Sequence, residues 1–488
     1  MSKAHHMDRG RLRALSETVM GGVFALMLTG CAYLAPTQER LVAPVPVQWP
    51  VSVDGKTPMP ADWNLFFPDP RLRAMIATAL EHNRDLRIAV ARVDEARAQF
   101  GVQRADQVPN VQLGLGRTET QTPAGVASGG AQTTTRRTDM NLGLLSFELD
   151  FWGRVASLSA AARATYLATE EAHRAFRLSL IADVADAYWG LQEAQERAAL
   201  AGGTVTSRRD TLRLVETRRD VGLASDLDVL QARGSLESAR AELANLERQR
   251  GQSENLLRVL VGMERAEWPE AYPLKDQRLL TDVAVGIPAE VLLRRPDILA
   301  AEQRLQAANA MIGAARAAFF PRIALTGSFG SASPELAGLF DPSTTAWTFT
   351  PSITLPIFAG GRLTANLDVA NARKEIAVAD YERTIQQAFR EVADGLVARQ
   401  KIGEQVHALE MVEAAQRQRS VIAQVRYDQG VASFLEVLDA QRELFSAQQA
   451  LIAARRTWSS ASARLYKALG GGVDPVLEPT RAPGGRSS

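Results

Sequence analysis

A single cysteine, Cys31, serves the whole 488-residue chain, which rules out an internal disulfide and a thiolate metal cluster. Histidine is scarce as well: His82, His173 and His407 stand far apart, and only His5 and His6 adjoin. There is no His-Glu-x-x-His pair, phosphate-binding loop or nucleophile elbow, so the sequence offers no catalytic constellation and calls for no cofactor. Charge of one sign is missing too. The formal net charge is +1, without the basic excess that holds nucleic acid. No interior apolar run approaches the ~18 residues of a transmembrane helix. What fills the chain instead is long tracts rich in Ala, Arg, Glu, Gln and Leu, the composition of extended helices.

The amino terminus accounts for the one cysteine. Arg9, Arg11 and Arg13 form a basic start, and Val19 to Leu28 is a short apolar stretch. Together they read as an export signal over residues 1–30. Leu28-Thr-Gly-Cys31 resembles the lipobox cut by lipoprotein signal peptidase, which would make Cys31 the acylated first residue of the mature chain. By the rule for bacterial lipoproteins, Ala32 in the next position implies sorting to the outer membrane, where several acyl chains make a stable anchor. Residues 31–68 read as an extended leader, rich in Pro and Val, whose stretch up to about Pro60 reaches up to ~90 Å.

Arg426 to Arg442 reads as the closed end of a helical hairpin. Gly430 is suited to the left-handed conformation that ends one helix, and Ser433 followed by Glu436 predicts a capping box that begins the next. Arg219 to Arg233 repeats the device with Gly222, Ser225 and Asp228. Gly222 and Gly430 stand 208 residues apart, as do Ser225 and Ser433, which points to tandem duplication. Upstream, at an offset of 212, Pro321 answers Pro109 and Gly313 answers Gly101. The expected organisation is repeat 1 over 69–262, a connector over 263–296, repeat 2 over 297–470 and a disordered tail over 471–488.

Each repeat opens with a helix; the first carries an apolar stripe of Leu86, Val90, Val93 and Ala96. Past the proline, alternation of period two begins. The expected strands are Val111 to Leu115, Leu145 to Phe151, Ile323 to Phe329 and Trp347 to Ile357, with 117–140 and 331–346 as exposed loops. Glu148 and Asp150 fall on the polar side of strand 2, toward a lumen. A half-buried strand of a soluble sheet would alternate in the same way. Gly153-Arg154 and Gly361-Arg362 then lead into helical tracts over 154–221 and 362–429, each spanning ~100 Å, with a kink expected at Gly202-Gly203. In the last helix Val437/Leu438, Leu444/Phe445, Leu451/Ile452 and Trp458/Ser459 recur every seven residues, a coiled-coil seam. The fold class is an α+β membrane protein. Four strands per chain cannot stand open in lipid, because their edge N–H and C=O groups would be unpaired there. At least two chains must share a barrel, and three would give twelve strands and room for a lumen.

Trp63-Asn-Leu-Phe-Phe-Pro-Asp69-Pro-Arg-Leu, Leu293-Arg-Arg-Pro296-Asp297-Ile, Ala315-Arg-Ala-Ala-Phe-Phe-Pro321 and Leu438-Asp439-Ala-Gln-Arg442 resemble the TolC-type outer-membrane factors, nearest the NodT/OprM-like lipoproteins of resistance-nodulation-division efflux systems. The resemblance implies a homotrimer with a twelve-stranded barrel in outer-membrane lipid and a helical tunnel in the periplasm. It also implies a periplasmic membrane-fusion adaptor and an inner-membrane resistance-nodulation-division pump as partners. The activity it implies is passive conduction of drugs or other small toxic compounds to the exterior. Metal-ion efflux, type I protein secretion and a coiled-coil surface protein remain as alternatives.

Leu435, Asp439 and Arg442 match the positions that constrict the periplasmic mouth in such lipoproteins, and Glu436 joins Asp439 at the acidic ring of the wider family. The tips Gly222-Leu223-Ala224-Ser225 and Gly430-Val431-Ala432-Ser433 match the loops that meet the adaptor. In a lone chain Asp439 and Arg442 would be an ordinary i,i+3 pair, and the capping box already accounts for Glu436. The gate expectation is that three copies of Asp439 repel on the axis unless each is held by an Arg442 across an interface.

Overall fold

The computed structural model describes residues 34–37, 46, 48–49, 57–58, 60, 62–126, 130–263, 267–277, 279, 283–284 and 292–471. The expected signal peptide 1–30, Cys31 and all but the first residue of the tail 471–488 lie outside the described residues.

Helices α1 (Pro70–His82) and α2 (Arg84–Ala105) lead into strands β1 (Asn110–Thr122) and β2 (Thr133–Leu149). The long helix α3 (Arg154–Asp220) and its return α4 (Asp226–Val261) follow. Beyond the connector the order recurs as α5 (Pro296–Ala317), β3 (Arg322–Ser333), β4 (Thr345–Thr354), α6 (Arg362–Asp428) and α7 (Phe434–Ala468). α3 and α6 hold 67 residues each, close to the expected tracts. Helical structure runs through Gly202-Gly203 without interruption, so the run on either side outweighs the roughly 1 kcal/mol cost of each glycine. Left-handed glycines come in pairs 208 residues apart: Gly153 and Gly361, Gly222 and Gly430, Gly262 and Gly470. A hydrogen bond is paired too. Asn83 Nδ2 donates to the Leu260 carbonyl at 2.8 Å, and Arg295 Nη1 to the Ala468 carbonyl at 2.8 Å, each tying the residue before α2 or α5 to the end of a return helix.

These elements form two compact units. One gathers the leader residues 34–37, 93–169 and 301–381, and its centre is a four-stranded antiparallel sheet in the order β1-β2-β3-β4. Directly paired residues share a face, and the register Leu113–Leu142–Phe329–Trp347 lays an apolar row across all four strands. Val111–Leu144–Gly327–Phe349 is the next row. The opposite face is small and polar, as in Gly114–Asn141–Gly330–Ala346 and Gln112–Gly143–Ser328–Thr348.

Two strand expectations need correction. The segment 117–140 is largely strand, because β1 and β2 continue in polar residues to Thr122 and from Thr133. The register of β2 against β3 also shifts between Leu144 and Phe147. That bulge changes the parity of β2, so its apolar face is Leu142, Leu144, Phe147 and Leu149, and Leu145 drops out of the line.

The second unit gathers 42–92, 170–300 and 382–488. Its largest core surrounds Trp189 and Tyr188 of α3 with Phe66, Phe67, Leu72 and Ile76 from the chain's start and Tyr466 of α7. Asp69, fully buried, sits within it. Its Oδ1 accepts from the backbone N–H groups of Arg71 (2.8 Å) and Leu72 (3.3 Å), capping α1. Its Oδ2 accepts from the Tyr188 hydroxyl (2.6 Å), Gln277 Nε2 (2.8 Å) and the Tyr272 N–H (3.1 Å). One carboxylate thus joins α1, α3 and the connector. Thr57–Pro58 pairs in parallel with Val283–Ala284, a second tie between leader and connector.

Candidate functional site

The tips of the two hairpins are built from glycine geometry. At Gly222 (φ 77°) the N–H donates to the Arg219 carbonyl and the next N–H, of Leu223, reaches back to Arg218 at 2.7 Å. At Gly430 (φ 76°) the same pair of bonds runs to Tyr427 and, from Val431, to Arg426 at 3.0 Å. Both are left-handed closures of a helix carboxyl end, where a Cβ would be strained.

The caps that follow differ. Ser225 and Asp228 form the expected capping box, with the Asp228 N–H at 3.2 Å from Ser225 Oγ and the Ser225 N–H at 2.9 Å from Asp228 Oδ2. Ser433 makes no side-chain cap, which corrects the box expected with Glu436. The Glu436 carboxylate lies 3.7 Å from Arg426 across the hairpin instead. A cation on the facing helix offers it a charge partner, which a backbone N–H does not.

Val215, Val229, Ala423, Phe434 and Val437 bury together, so all four helices of the two hairpins contribute to one small core near the tips. Arg218 stands 4.8 Å above the Tyr427 ring and 3.6 Å from Asp428, pinning the first hairpin to the second. Leu223 (78 % exposed) and Val431 (65 %) project outward, whereas Ala224 packs against the core. Leu435 is also exposed.

Asp439 is held within its own chain. Arg442 Nη2 donates to Oδ1 at 2.5 Å, and Arg419 Nη2, from α6, donates to Oδ2 at 2.6 Å. Arg442 also reaches Glu443 at 3.2 Å. The four charges cancel, so Asp439 need not find its cation across an interface. Sequence reading missed Arg419, although Arg419 and Asp439 stand equally far from residue 429 at the hairpin turn, the position antiparallel helices bring together. The first hairpin has Thr211, Gln231 and Gly234 at the equivalent positions 208 residues earlier and carries no such cluster.

At the foot of the sheet, Glu148 pairs with Ala324 on the polar face and is clamped by two arginines. Arg154 donates two bonds to it (2.8 and 2.7 Å) and Arg322 a third (2.7 Å), leaving its side chain 9 % exposed. Asp150 Oδ2 accepts the Ala156 N–H at 2.7 Å in the first turn of α3, where a carboxylate satisfies an orphan donor. Trp152 stacks on Phe320 at 4.7 Å and donates to the Pro321 carbonyl at 2.9 Å. These contacts fix the passage from strand to helix. Among the described residues no helix is long and apolar enough to cross a membrane.

The geometry has close counterparts in known proteins. The toluene efflux pump outer membrane protein TtgF of Pseudomonas putida is 44% identical over 466 residues, covering 93% of this chain and 96% of the relative. The outer membrane protein OprJ of Pseudomonas aeruginosa is 43% identical over 473 residues, covering 96% and 99%. The open state of the Neisseria gonorrhoeae MtrE outer membrane channel superposes with a TM-score of 0.83 at 37% identity, covering 91% of this chain and 99% of that one. The family model described as outer membrane efflux protein matches residues 75–263 and 287–471, one segment in each half. On these matches and this architecture, the chain belongs to the outer membrane efflux protein family.

Proposed function

We propose that the protein is the exit duct of a tripartite efflux pump, a lipid-anchored homotrimer. In this reading it conducts small toxic organic compounds across the outer membrane from a periplasmic adaptor and an inner-membrane resistance-nodulation-division pump. The observation that carries the reading is the sheet: apolar on one face, small and polar on the other, with both outer edges, β1 and β4, left without a partner strand among the described residues. Unpaired edges are costly in lipid, and β1 and β4 run antiparallel, so β4 of one copy can pair with β1 of the next in a closed ring. Three copies make twelve strands, with room for a lumen that eight would fill. The paired left-handed glycines and the paired ties at Leu260 and Ala468 support a tandem duplication, which puts six similar hairpin ends at one mouth. Detergent-solubilised protein should have the native mass of three processed chains and form ion-conducting pores in planar bilayers. A monomer or dimer that conducts equally well would overturn the trimer.

The tips are the adaptor-docking surface in this reading. Leu223 and Val431 are the apolar contacts to test, because their exposure leaves the tip core untouched. The double variant Leu223→Arg/Val431→Arg should lose at least nine-tenths of its crosslinking to the adaptor while the trimer stays intact. Retained crosslinking would place docking elsewhere.

A further inference from the structure

Both hairpins of the sheet turn at the end away from the helices, and the two turns differ. The β1–β2 hairpin runs on as strand to Thr122 and from Thr133. The β3–β4 connection leaves the ladder at once and folds into two short 3-10 turns, Leu336–Phe340 and Pro342–Thr344. The register locates it. Beyond the row Leu115–Met140–Ser331–Thr345, the apolar face continues as Arg117–Thr138–Ser333. Thr138 and Ser333 are nonetheless buried, and the first turn, which packs on β2 and β3, is what covers them. A Cβ at Gly338 would collide with Ser333 Oγ, so a glycine is what lets the backbone lie this close. Thr344 Oγ1 holds the connection down, within hydrogen-bond distance of the Asp341 carbonyl (2.7 Å), the Gly338 carbonyl (3.0 Å) and Ser331 Oγ (2.7 Å). The connection therefore rests on the apolar face of the sheet. Leu339 is buried there, whereas Leu336 (61 %) and Phe340 (80 %) are exposed. Their place is a border. On the same face Arg117, Glu119 and Arg136 form ion pairs that end the apolar rows of β1 and β2, and Glu335 and Asp341 flank the turn.

We propose that the β3–β4 connection is an interfacial anchor, with Leu336 and Phe340 inserted at the outer-leaflet border of the lipid that covers the apolar rows. It rests on the reading of the sheet as a wall in the outer membrane. Within that reading, position selects the occupant. The turn lies over the two central strands, so a second copy that pairs along β1 or β4 leaves it uncovered. Exposed apolar side chains between an apolar band and a charged end fit the zone where acyl chains meet headgroups, the level of the aromatic girdles of membrane barrels. The anchor fixes the height of the wall. Sliding the sheet inward would draw Arg117 and Arg136 into hydrocarbon, and sliding it outward would lift Phe340 into water. The β1–β2 hairpin, polar beyond Leu115, stays clear of the lipid.

The test irradiates outer membranes carrying the full chain with p-benzoylphenylalanine in place of Phe340, Trp347 or Val126, and weighs the crosslinked peptides. Trp347 belongs to an apolar row, and Val126 is exposed in the β1–β2 turn. Lipid adducts at 340 should come within about twofold of those at 347 and exceed those at 126 about tenfold. Gly338→Val, which lifts the turn from Ser333, should cut the yield at 340 about fivefold and leave 347 unchanged, and Thr344→Val should act in the same direction. Lipid at 347 but not at 340 overturns the anchor and leaves the wall. Lipid at neither position overturns the wall, and the anchor with it. An adduct at 340 to a peptide of this chain makes the turn a contact between copies and overturns the anchor alone. So does a yield at 340 that neither Gly338→Val nor Thr344→Val moves.

Discussion

Asp439→Ala should raise single-channel conductance several-fold, more than Arg419→Ala, which in turn should exceed Arg442→Ala. The order follows from the geometry. Asp439 holds two guanidiniums, from Arg419 across the hairpin and from Arg442 one turn along its own helix. Removing the carboxylate releases both. Removing Arg419 cuts the bond between α6 and α7, whereas removing Arg442 cuts only a local one. Each pair is exposed and contributes roughly 0.5 kcal/mol. In the proposed trimer two pairs recur three times, about 3 kcal/mol in all, which would shift a closed–open equilibrium that depends on them by about a hundredfold. High salt should mimic the substitution in part, because exposed pairs are screened. Planar-bilayer recordings of the three single variants would decide it. Equal conductance in all three, or an effect confined to Arg442→Ala, would remove Asp439 from the gate.

Asp69→Ala should be the most destabilising single change in the helical unit, by about 3–5 kcal/mol. It strands five donors at once: two backbone N–H groups of α1, the Tyr188 hydroxyl, the Gln277 amide and the Tyr272 N–H. Asp69→Asn should be nearly as damaging, since the three donors around Oδ2 would meet an amide that donates. Tyr188→Phe, which removes one donor and keeps the ring in the core, should cost only about 1 kcal/mol. Burial, then the hydrogen bond to Asp69, pushes the Tyr188 phenol well above the usual tyrosine range. Its contribution is therefore complete below pH ~10 and is lost as pH rises above that value, where the unfolded phenol ionises. Hydrogen exchange across Trp63 to His82 and the survival of the trimer on unboiled gels would report these losses. Wild-type protection in Asp69→Ala would show that the buried cluster does not hold the leader end in place.

What was legible in the sequence was what is periodic or local. The 67-residue helices, their turns and the existence of four strands follow from hydrophobic spacing and from Gly222 and Gly430, signals contained within a few residues. The strand ends were hidden because β1 and β2 outrun the apolar band, and Arg117 to Thr122 is as polar as a loop. The bulge was hidden because one extra residue reverses alternation without altering composition. Glu436 misled for a physical reason: Ser-x-x-Glu is a local pattern, and the charge of Arg426 competes from across the turn. Asp69 could be read as a helix cap but not as a hub, because three of its donors lie 119, 203 and 208 residues away. The candidate gate residues Asp439 and Arg442 stood out because the first hairpin has Gln231 and Gly234 in their places. Arg419 needed the hairpin to be folded before it joined them.

The antiparallel relation of β1 to β4 leaves the sheet unable to count. Edges of this kind tile in two, three or four copies with the same hydrogen bonds, so the backbone ladder is indifferent to stoichiometry. The number must be chosen by bulk and curvature: by how tightly the polar face, which carries Gly114, Gly143 and Gly330, can bend in the proposed ring, and by how neighbouring copies pack. At Gly330 even a methyl group would collide with the Met140 carbonyl. In the proposed ring the bore would be a quantity set by side-chain size, open to tuning by evolution or by design while every strand keeps its place.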